Sequence, residues 1–596
     1  MTGPQSDTFE LTITPAKPPA SGRRCAPSGP FRTRGGWLCR EVETEADDGS
    51  LQKEWMPFGT ELNILARTRS VEGEDHGRLL EIVDRDGERH LWPMPAALLA
   101  GSGENIRAEL MRLGWEPHPR ACRKWRDWLQ EYLLSADPAE RVRCVAGIGW
   151  HGRAFVLPDE TIGAAADGER VILQCAERLD HALNQSGTLA EWQHAVAAKA
   201  AGNSRLVLAV SAAFAAPLLA LTGDDGGGFH FRGGSSTGKS TALVVAGSIW
   251  GGGGTRGYVQ SWRATDNALE ALAALHNGAC LCLDELSQIE PKAAGAAAYM
   301  LGNGIGKTRA GREGQARKPH EWRLIFLSNG EVGLSDKMRE GGQRIAAGME
   351  VRVIDLRADA EAGMGLFENL HEAADPAGFA QSLKVAAGKY YGTAGRAFLR
   401  RVTVEFDTVQ KQIGSLRQHF MVAAGLQDAD GQVYRVAGRF ALVAAAGELA
   451  TAWGVTGWTE GEAARAALRC FRDWVHERGG KGSSEIADAR ARLLRAIDMD
   501  GNSRFMPWHR DPRAVVRTNV LGYVRRGGEE GDQEGVPPDY FLHSQGMKEV
   551  LAGLDRRAVI AGLANVGAIV MQSVGEGASR RPEIAPLRRV LISTQN

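Results

Sequence analysis

The residues with the clearest chemical potential form a glycine-rich loop near the middle of the chain. Residues 233–240 read Gly-Gly-Ser-Ser-Thr-Gly-Lys-Ser, which fits G-x-x-x-x-G-K-[ST], the phosphate-binding loop of nucleoside triphosphatases. A short apolar run, Phe229 to Phe231, precedes the loop, and a predicted helix follows from Thr241 to Trp250. Such a loop turns backbone N–H groups toward a polyphosphate at a helix N-terminus. The candidate ATP-binding residues are Gly233, Gly234, Ser235, Ser236, Thr237, Gly238, Lys239, Ser240 and Thr241.

Two carboxylates follow a second apolar run, 45 residues after Lys239. The run Ala279 to Leu283 predicts a buried strand that ends in Asp284 and Glu285. In this motif Lys239 contacts the β and γ phosphates, and the Ser240 hydroxyl binds Mg²⁺. We expect Asp284 to share the Mg²⁺ shell and Glu285 to polarise the water that attacks the γ-phosphate.

Two further strands are predicted, each carrying one polar residue of interest. Arg323 to Leu327 leads to Asn329, which we expect to orient the lytic water; a strand-end turn residue is the alternative. Met349 to Leu356 is predicted to be a strand that carries Arg352, a candidate arginine finger acting on a neighbouring subunit. Arg344 competes for that role, and a surface salt bridge would explain either arginine.

A basic, glycine-punctuated segment lies between the second and third strands. Residues 301–323 contain six Lys or Arg and two Glu, a net charge of +4, and their pattern is compatible with a hairpin. Such a hairpin, projecting into the pore of a ring, would grip DNA phosphates through Lys307, Arg309 and Arg312. A solvated loop is the alternative interpretation.

The surrounding sequence predicts the elements that hold these residues. A hairpin is expected at residues 79–92, and 375–480 is helical, with Arg435 and Arg439 as alternative lid arginines for the γ-phosphate. Helices at 544–565 and strands at 568–571 and 589–592 outline a winged helix, for which DNA contact and ring stabilisation are equally open. We divide the chain into a tail (1–30), a β-rich and helical N-terminal domain (31–200), an ATPase core (201–374), a helical lid (375–480) and a winged-helix-like domain (481–596).

Composition excludes several classes of protein. The 596 residues are 24% charged and 43% hydrophobic with net charge -1, which is ordinary for a globular protein, so any DNA-binding surface must be local. No apolar stretch reaches the ~20 residues of a membrane span, and the N-terminus lacks the apolar core of a signal peptide. Eight cysteines without a C-x-x-C pair favour reduced thiols. We expect a cytoplasmic protein with no membrane partner.

Taken as an ordered set, these motifs resemble a known family. They are similar to the AAA+ ATPases of mobile genetic elements typified by the Cch-like helicases of cassette chromosomes, a domain-of-unknown-function family with a motor similar to the MCM helicases. The resemblance spans roughly residues 50–480. It is carried by residues 228–240, Trp262-Arg263-Ala264-Thr265-Asp266-Asn267-Ala268-Leu269-Glu270, Leu283-Asp284-Glu285-Leu286, Glu350-Val351-Arg352-Val353-Ile354-Asp355, Tyr391-Gly392-Thr393-Ala394-Gly395 and Gly447-Glu448-Leu449-Ala450.

The resemblance implies an α/β fold with a P-loop AAA+ core in a hexameric ring. That ring would translocate on single-stranded DNA and unwind duplex DNA, using ATP and Mg²⁺. It implies that Lys239, Ser240, Asp284 and Glu285 act in cis and Arg352 in trans, with Lys307 in a pore hairpin. A P-loop switch or signalling ATPase that assembles on a protein partner is the competing hypothesis. A small-molecule kinase fits poorly, since a helical lid and a trans arginine indicate an oligomer.

Overall fold

The fold is described from a computed structural model of the chain. The model describes residues 29–45, 50–121, 123–165, 167–174, 180–253, 257–310, 316–317, 319–343, 347–427, 429–508, 518–525, 538–565, 567–571 and 588–590. Across these ranges the fold is mixed α/β, and none of their helices is both long and apolar enough to span a bilayer.

Two sheets form the N-terminal part, with a third small sheet after them. The strands are β1 Phe31–Arg34, β2 Trp37–Glu45, β3 Leu51–Thr60, β4 Leu62–Arg69, β5 Gly77–Val83, β6 Arg89–Pro95, β7 Arg141–Val145, β8 Gly149–His151, β9 Ala154–Val156, β10 Thr161–Ile162 and β11 Arg170–Leu173. Antiparallel β1–β3 form one sheet, and β11-β7-β4-β5-β6 form another. The helices α1 Glu104–Arg112 and α2 Trp125–Ser135 share one apolar cluster with them, which includes Phe58 and Trp115. The predicted hairpin is confirmed as β5 and β6, which are antiparallel.

The third sheet, β10-β9-β8, packs on the central part of the molecule. Phe155 stacks on Trp250 with ring centroids 6.1 Å apart, and Trp150 donates a 2.8 Å hydrogen bond to the carbonyl of Pro217. The helices that follow are α3 Leu189–Trp192, a π-helical turn Gln193–Ala197 and α4 Ala198–Ala200. Trp192 and Phe155 belong to the same buried cluster as the central sheet. Buried residues of 148–162 and 183–200 therefore share the core of the central region, whereas β11, which lies between them in the chain, belongs to the second N-terminal sheet.

A five-stranded parallel sheet forms the centre. Its strands, with a small hairpin between the third and fourth, are β12 Gly227–Arg232, β13 Gln260–Ser261, β14 Cys280–Asp284, β15 Arg309–Ala310, β16 Ala316–Arg317, β17 Ile325–Gly330 and β18 Val353–Arg357. The associated helices are α5 Ser204–Ala215, α6 Leu218–Thr222, α7 Lys239–Gly247, α8 Asp266–Leu275, α9 Pro291–Asn303, α10 Leu334–Glu340 and α11 Ala347–Arg352. The strand order is β13-β14-β17-β12-β18, all parallel. The carboxyl ends of the strands therefore meet at one edge, the carboxyl edge, and their starts at the opposite amino edge.

Both faces of this sheet are buried, which explains why its strands read as continuous apolar runs. Along β14, Cys280 and Cys282 join the cluster that includes α5 and α7. Leu281 and Leu283 join the cluster that includes α8 and α9. Alternate side chains thus enter two separate cores, as the two-residue period of a strand requires.

The prediction of a strand from residue 349 is wrong for its first half. Residues 347–352 form α11, and β18 begins only at Val353. The neighbouring strand β12 starts at Gly227, and its first pairing with β18 is Gly228 with Val353. In this register Gly227 lies opposite Arg352, so residues before 352 have no strand to pair with, and Met349 instead packs into the cluster beside α9.

The region 375–480 is helical, as predicted. Its helices are α12 Pro376–Lys389, α13 Thr393–Val404, α14 Phe406–Ala424, α15 Gly431–Ala452 and α16 Glu462–Glu477. The predicted burial of the alanine-rich helix is confirmed, since every residue of α15 from Phe440 to Ala450 is buried. The helix α15 packs against α5, α14 and α16, and α5 connects these helices to the central sheet.

The C-terminal part contains a further mixed sheet. Its elements are α17 Ser484–Asp500, β19 Phe505–Pro507, β20 Gly522–Arg525, β21 Asp539–Leu542, α18 Ser544–Val550, α19 Arg556–Asn565, β22 Val570–Met571 and β23 Arg588–Val590. The two predicted helices are present, and β22 and β23 pair antiparallel. Their connection, 572–587, lies outside the described residues. The strands β19–β21 extend the sheet in the order β19-β20-β21-β23-β22, which the sequence analysis did not predict.

Candidate functional site

The phosphate loop joins β12 to α7 at the carboxyl edge of the sheet. Gly238 has φ +92°, in the left-handed region that favours glycine, and a Cβ there would lie 2.9 Å from the Phe367 ring. α7 begins at the next residue, Lys239, whose Nζ donates a 2.7 Å hydrogen bond to the carbonyl of Gly233. The loop thus wraps around the lysine at a helix N-terminus, as its motif predicts. The Thr241 side chain, by contrast, is buried in α7 at 1% exposure.

Neighbouring segments fix this loop from two sides. The N–H of Gly233 donates to the carbonyl of Gly330 at 3.2 Å, and that of Leu366 to the carbonyl of Thr237 at 2.8 Å. α16 reaches the same region, because Arg232 forms an ion pair with Glu477 and Arg469 donates to the carbonyl of Ala360 at 2.8 Å. The sequence analysis missed the supporting segment 360–367, which, apart from Glu361, carries only small and apolar residues.

Three side chains predicted from different strands meet beside the loop. The Ser240 hydroxyl donates to Asp284 Oδ1 at 3.0 Å. Asn329 Nδ2 lies 2.7 Å from the same carboxylate oxygen and 3.1 Å from Ser240 Oγ. Because β14 and β17 are adjacent parallel strands, the carboxyl ends that carry Asp284 and Asn329 lie side by side. The expected juxtaposition of these residues is present, while their chemical roles stay predictions.

Glu285 occupies an unusual backbone conformation directly after β14. Its φ of 62° lies in the left-handed region, which for a non-glycine residue costs about 1 kcal/mol or more. Its N–H donates to Asn329 Oδ1 at 2.7 Å, so the amide of Asn329 holds both carboxylate residues in register. Its carboxylate accepts a 2.6 Å hydrogen bond from the Ser287 hydroxyl. Ser287 was missed by the sequence analysis, since a serine two residues after the acidic pair carries no signature.

A buried polar network lies beneath Asn329. Burial lowers the pKa of His230 to about 4, so the imidazole is neutral near pH 7. Its Nε2 lies 3.0 Å from the carbonyl of Val332 and must carry the proton, so Nδ1 accepts from the Ser328 hydroxyl at 2.9 Å. Ser328 Oγ in turn accepts from Trp262 at 2.7 Å. This chain of donors fixes the residue next to Asn329; Trp262 belonged to the motif set, but without an assigned role.

The electrostatics of the site suit an anionic ligand with a divalent cation. Burial lowers the pKa of Lys239, and Glu285, Glu331 and Asp284 partly oppose that shift. Among the described residues there is no cluster of three or more His, Cys, Asp or Glu that could hold a metal by itself. The oxygens of Ser240 and Asp284 nevertheless fit Mg²⁺, which commonly takes one or two protein oxygens and completes its shell with water and substrate phosphates.

Arg352 lies at the amino edge, away from the phosphate loop of its own chain. Its Nε donates to Asn303 Oδ1 at 2.9 Å, and its guanidinium lies 4.7 Å from the centroid of the Tyr299 ring. It immediately precedes β18, so one strand length, roughly 17 Å, separates it from the carboxyl edge. The competing candidate, Arg344, lies outside the described residues.

Of the two candidate lid arginines, Arg439 does not reach the phosphate loop of its own chain either. Arg439 donates to the carbonyls of Val351 and Gly226, at 2.6 and 2.9 Å, and so lies at the amino edge. Burial lowers its pKa to about 10, which leaves the guanidinium charged near pH 7. Arg435 is exposed, and its Nε makes a long 3.4 Å contact to the carbonyl of Gly431. The proposed lid contact with the γ-phosphate of the same chain is therefore wrong for Arg439, whose guanidinium binds carbonyls at the amino edge, and for Arg435 it stays a prediction.

The basic segment does form a hairpin in its backbone. Arg309 pairs with Arg317 and Ala310 with Ala316 in antiparallel register. Arg312 lies outside the described residues. Lys307, at the base, forms an exposed 2.8 Å ion pair with Asp266 at the start of α8. The predicted hairpin is thus present between strands β14 and β17 of the central sheet, and its contact with DNA stays a prediction.

Two comparisons with known proteins found similarities to this chain. A family model described as a domain of unknown function (DUF927) matches residues 31–321. A solved structure described as "SCCmec type IV Cch - active helicase" is similar to this chain with a TM-score of 0.68 and 18% identity, covering 94% of this chain and 97% of that one. No curated protein matches the sequence. At this identity the structural likeness shows a shared fold, and both findings support the resemblance to Cch-like proteins.

Proposed function

We propose that this protein is an ATP-driven DNA helicase or translocase with an AAA+ type motor. The observation that carries the proposal is the set of hydrogen bonds joining Ser240, Asp284 and Asn329 beside the phosphate loop. An ATPase needs a phosphate cradle, a magnesium site and a polar group for the lytic water at one place. The carboxyl edge brings residues suited to all three together.

The residues divide the hydrolytic work between binding and positioning. The loop N–H groups and Lys239 bind the phosphates, while Ser240 and Asp284 hold Mg²⁺, which neutralises negative charge on the phosphates when bound. Glu285 polarises the attacking water once its carboxylate leaves Ser287. Asn329 orients that water and keeps Asp284 and Glu285 aligned through its amide.

The hairpin is the proposed contact with DNA. Residues 301–323 carry a net charge of +4, and the hairpin is inserted between α9 and β17, whose end carries Asn329. The ion pair of Lys307 is exposed on both sides, with 57% of the lysine and 47% of the Asp266 side chain accessible. An exposed pair is worth little, so a DNA phosphate can replace the carboxylate. Lys307, Arg309 and Arg312 are the residues we assign to this grip.

A ring of subunits would bring Arg352 of one copy to the phosphate loop of the next, a contact that a single subunit does not make. Arg352 is a half-buried arginine at the amino edge that does not reach its own phosphate loop, which fits a role in the site of an adjoining copy. We therefore propose a hexamer, with residues 375–480 as the lid and 481–596 as a winged-helix-like domain. The Cch structure that shares this fold is described as an active helicase. By that likeness we assign the chain to replication of a mobile element or phage, in the cytoplasm.

A P-loop switch that assembles on a protein partner is the second candidate. The overall net charge of -1 and the large N-terminal part favour it, because neither indicates a dedicated nucleic-acid-binding protein. Such a protein would hydrolyse ATP without unwinding a duplex.

One experiment separates the two candidates. ATP hydrolysis is measured with and without single-stranded DNA, beside unwinding of a forked duplex, for the wild type and Glu285→Gln. The helicase proposal expects DNA to raise turnover, and it expects Glu285→Gln to bind ATP while hydrolysing it poorly. Turnover that ignores DNA, with no unwinding, would favour the switch. Wild-type turnover in Glu285→Gln would remove Glu285 from the mechanism.

A further inference from the structure

A buried tryptophan contacts both of the strands that carry the proposed catalytic groups. The backbone N–H of Trp262 donates to the carbonyl of Asp284 in β14 at 3.2 Å, and its indole N–H donates to Ser328 Oγ in β17 at 2.7 Å. The side chain is 1% exposed and shares one apolar cluster with Phe326 and with Leu269 of α8. Since a buried indole N–H needs an acceptor, the bond to Ser328 fixes the ring relative to β17.

The chain runs from Trp262 into α8, which contacts the base of the basic hairpin. Asp266, the first residue of α8, forms the ion pair with Lys307. One turn later, the buried Glu270 lies against Gly306, where a Cβ would overlap Glu270 Oε1. The helix therefore holds two consecutive residues of the hairpin base. A displacement of the tryptophan reaches that base through the start of α8.

The same tryptophan is linked to the nucleotide site through Ser328. The next residue, Asn329, contacts Ser240 Oγ and Asp284 Oδ1, which are the oxygens proposed to bind Mg²⁺. With nucleotide and Mg²⁺ bound, these oxygens would face the ion, so the hydrogen bonds of the Asn329 amide would change. Ser328 follows its neighbour because the two residues are joined in the backbone, and the indole is bonded to Ser328.

We infer that Trp262 is a positioning residue that couples the nucleotide site to the basic hairpin. A change at the carboxyl end of β17 moves the indole through Ser328, and α8 passes the movement to Lys307 at the hairpin base. The motif at residues 262–270 thus contains both the tryptophan and the two acids that hold the hairpin. The inference rests on the proposed function for its ligand, because the change begins at the oxygens proposed for Mg²⁺.

Three variants of the full chain test this connection. Trp262→Phe keeps an aromatic ring and removes the indole N–H, whereas Ser328→Ala removes the acceptor of the same bond. Trp250→Phe is the matched control, because Trp250 is also 1% exposed and donates its indole N–H to the carbonyl of Ala213 at 3.0 Å. That bond lies in the other core of the sheet, away from the hairpin.

Hydrogen–deuterium exchange is measured with and without Mg²⁺ and ATPγS, a slowly hydrolysed analogue of ATP. Exchange at residues 233–240 detects nucleotide binding, and exchange at residues 301–323 detects the response of the hairpin. In the wild type and Trp250→Phe, the nucleotide should protect the phosphate loop and change hairpin exchange by at least about fivefold. In Trp262→Phe and Ser328→Ala, the loop should still be protected, while the hairpin change should fall below about twofold.

Thermal melting identifies a variant that does not fold, and DNA-stimulated ATP hydrolysis is recorded for each protein. If Trp262→Phe does not fold, Ser328→Ala decides the outcome. A hairpin response of wild-type size in either folded variant would overturn the inference and leave β17, which follows the hairpin in the chain, as the connection.

The remaining outcomes separate this inference from the proposed function. A wild type with a protected phosphate loop and an unresponsive hairpin would overturn the inference while nucleotide binding stands. A hairpin response that depends on Trp262, together with hydrolysis that never responds to DNA, would support the inference and contradict the proposed motor. A phosphate loop that ATPγS does not protect would contradict both.

Discussion

The two edges of the central sheet differ in how complete they are. At the carboxyl edge, Ser240, Asp284 and Asn329 are joined by hydrogen bonds of 2.7 to 3.1 Å, and each is supported from within the same chain. At the amino edge, Arg352 contacts Tyr299 and Asn303, and Arg439 donates to its carbonyl at 3.1 Å, while the phosphate loop of the same chain lies at the other edge.

This difference between the two edges indicates which groups of the proposed mechanism a single subunit can assemble without a partner. The carboxyl edge is assembled by parallel strands whose ends meet, so its groups are in place before any partner arrives. The amino edge offers an arginine whose proposed target belongs to another copy. Changes at the first edge should therefore act within each subunit, whereas changes at the second should act across the interface between subunits.

Lys239→Ala should have the largest effect and abolish ATP turnover. The substitution removes the ammonium group that the loop encloses at 2.7 Å from the Gly233 carbonyl, a loss of roughly 10³-fold or more for an electrostatic contact of this kind. Steady-state phosphate release measures it. Lys384→Ala, which changes an exposed lysine of α12, is the matched control and should behave as wild type. Residual turnover above a tenth of wild type would contradict the assignment.

Arg352→Ala should lower turnover by roughly 10³-fold, the size expected of an arginine finger. A sharper test of the role of Arg352 in trans is to mix two inactive variants. Lys239→Ala subunits still carry Arg352, and Arg352→Ala subunits still carry Lys239, so mixed rings contain some complete sites and should regain turnover. Arg490→Ala, at an exposed position of α17, serves as the control. A mixture no more active than its components would place Arg352 outside the trans site.

Lys307→Ala should leave basal hydrolysis nearly unchanged and reduce unwinding by about tenfold. The lysine pairs with Asp266 and does not contact the carboxyl edge, so the hydrolytic groups stay in place. Unwinding of a forked duplex beside hydrolysis without DNA gives the two readouts. Lys292→Ala, at an exposed position of α9, is the control. Full unwinding by Lys307→Ala would exclude the hairpin as the grip.

Asp355→Asn should have the smallest effect, confined to stability. Burial raises the pKa of this β18 carboxyl to about 7 from an ordinary 3.8, so the folded state holds its proton more tightly than the unfolded state. The wild type therefore loses this stabilisation as pH rises from about 4 through 7. The asparagine variant, which does not titrate, should gain thermal stability relative to wild type between pH 5 and pH 8. A difference in melting temperature that is independent of pH would contradict the shift.

The sequence predicts the carboxyl edge well because its signals are local. A buried parallel strand reads as an apolar run, and a polar residue at its end, such as Asp284 or Asn329, marks the shared edge. The phosphate loop adds a motif that predicts both its local fold and a class of ligand. Adjacent strands then bring these residues together without further information from the sequence.

The remaining features depend on partners distant in the chain. Residues 349–352 alternate like a strand, yet form a helix because β12 starts too late to pair with them. Arg439 has the spacing of a lid arginine, but the carbonyls of Val351 and Gly226 bind it at the other edge. The bond from Ser287 to Glu285 likewise requires the left-handed turn at Glu285, which no residue pattern announces.

The helical layer, α12 to α16, is attached to the rest of the molecule at two separate places. Arg439 attaches α15 to the amino edge of the sheet. At the phosphate-loop side, α16 is attached through Arg469 and through the ion pair of Glu477 with Arg232. These two attachments oppose a separation of the whole helical layer from the sheet. We expect the helical layer to rotate about the guanidinium of Arg439. A small displacement of one end of the layer would then produce a larger displacement of its other end in the opposite direction.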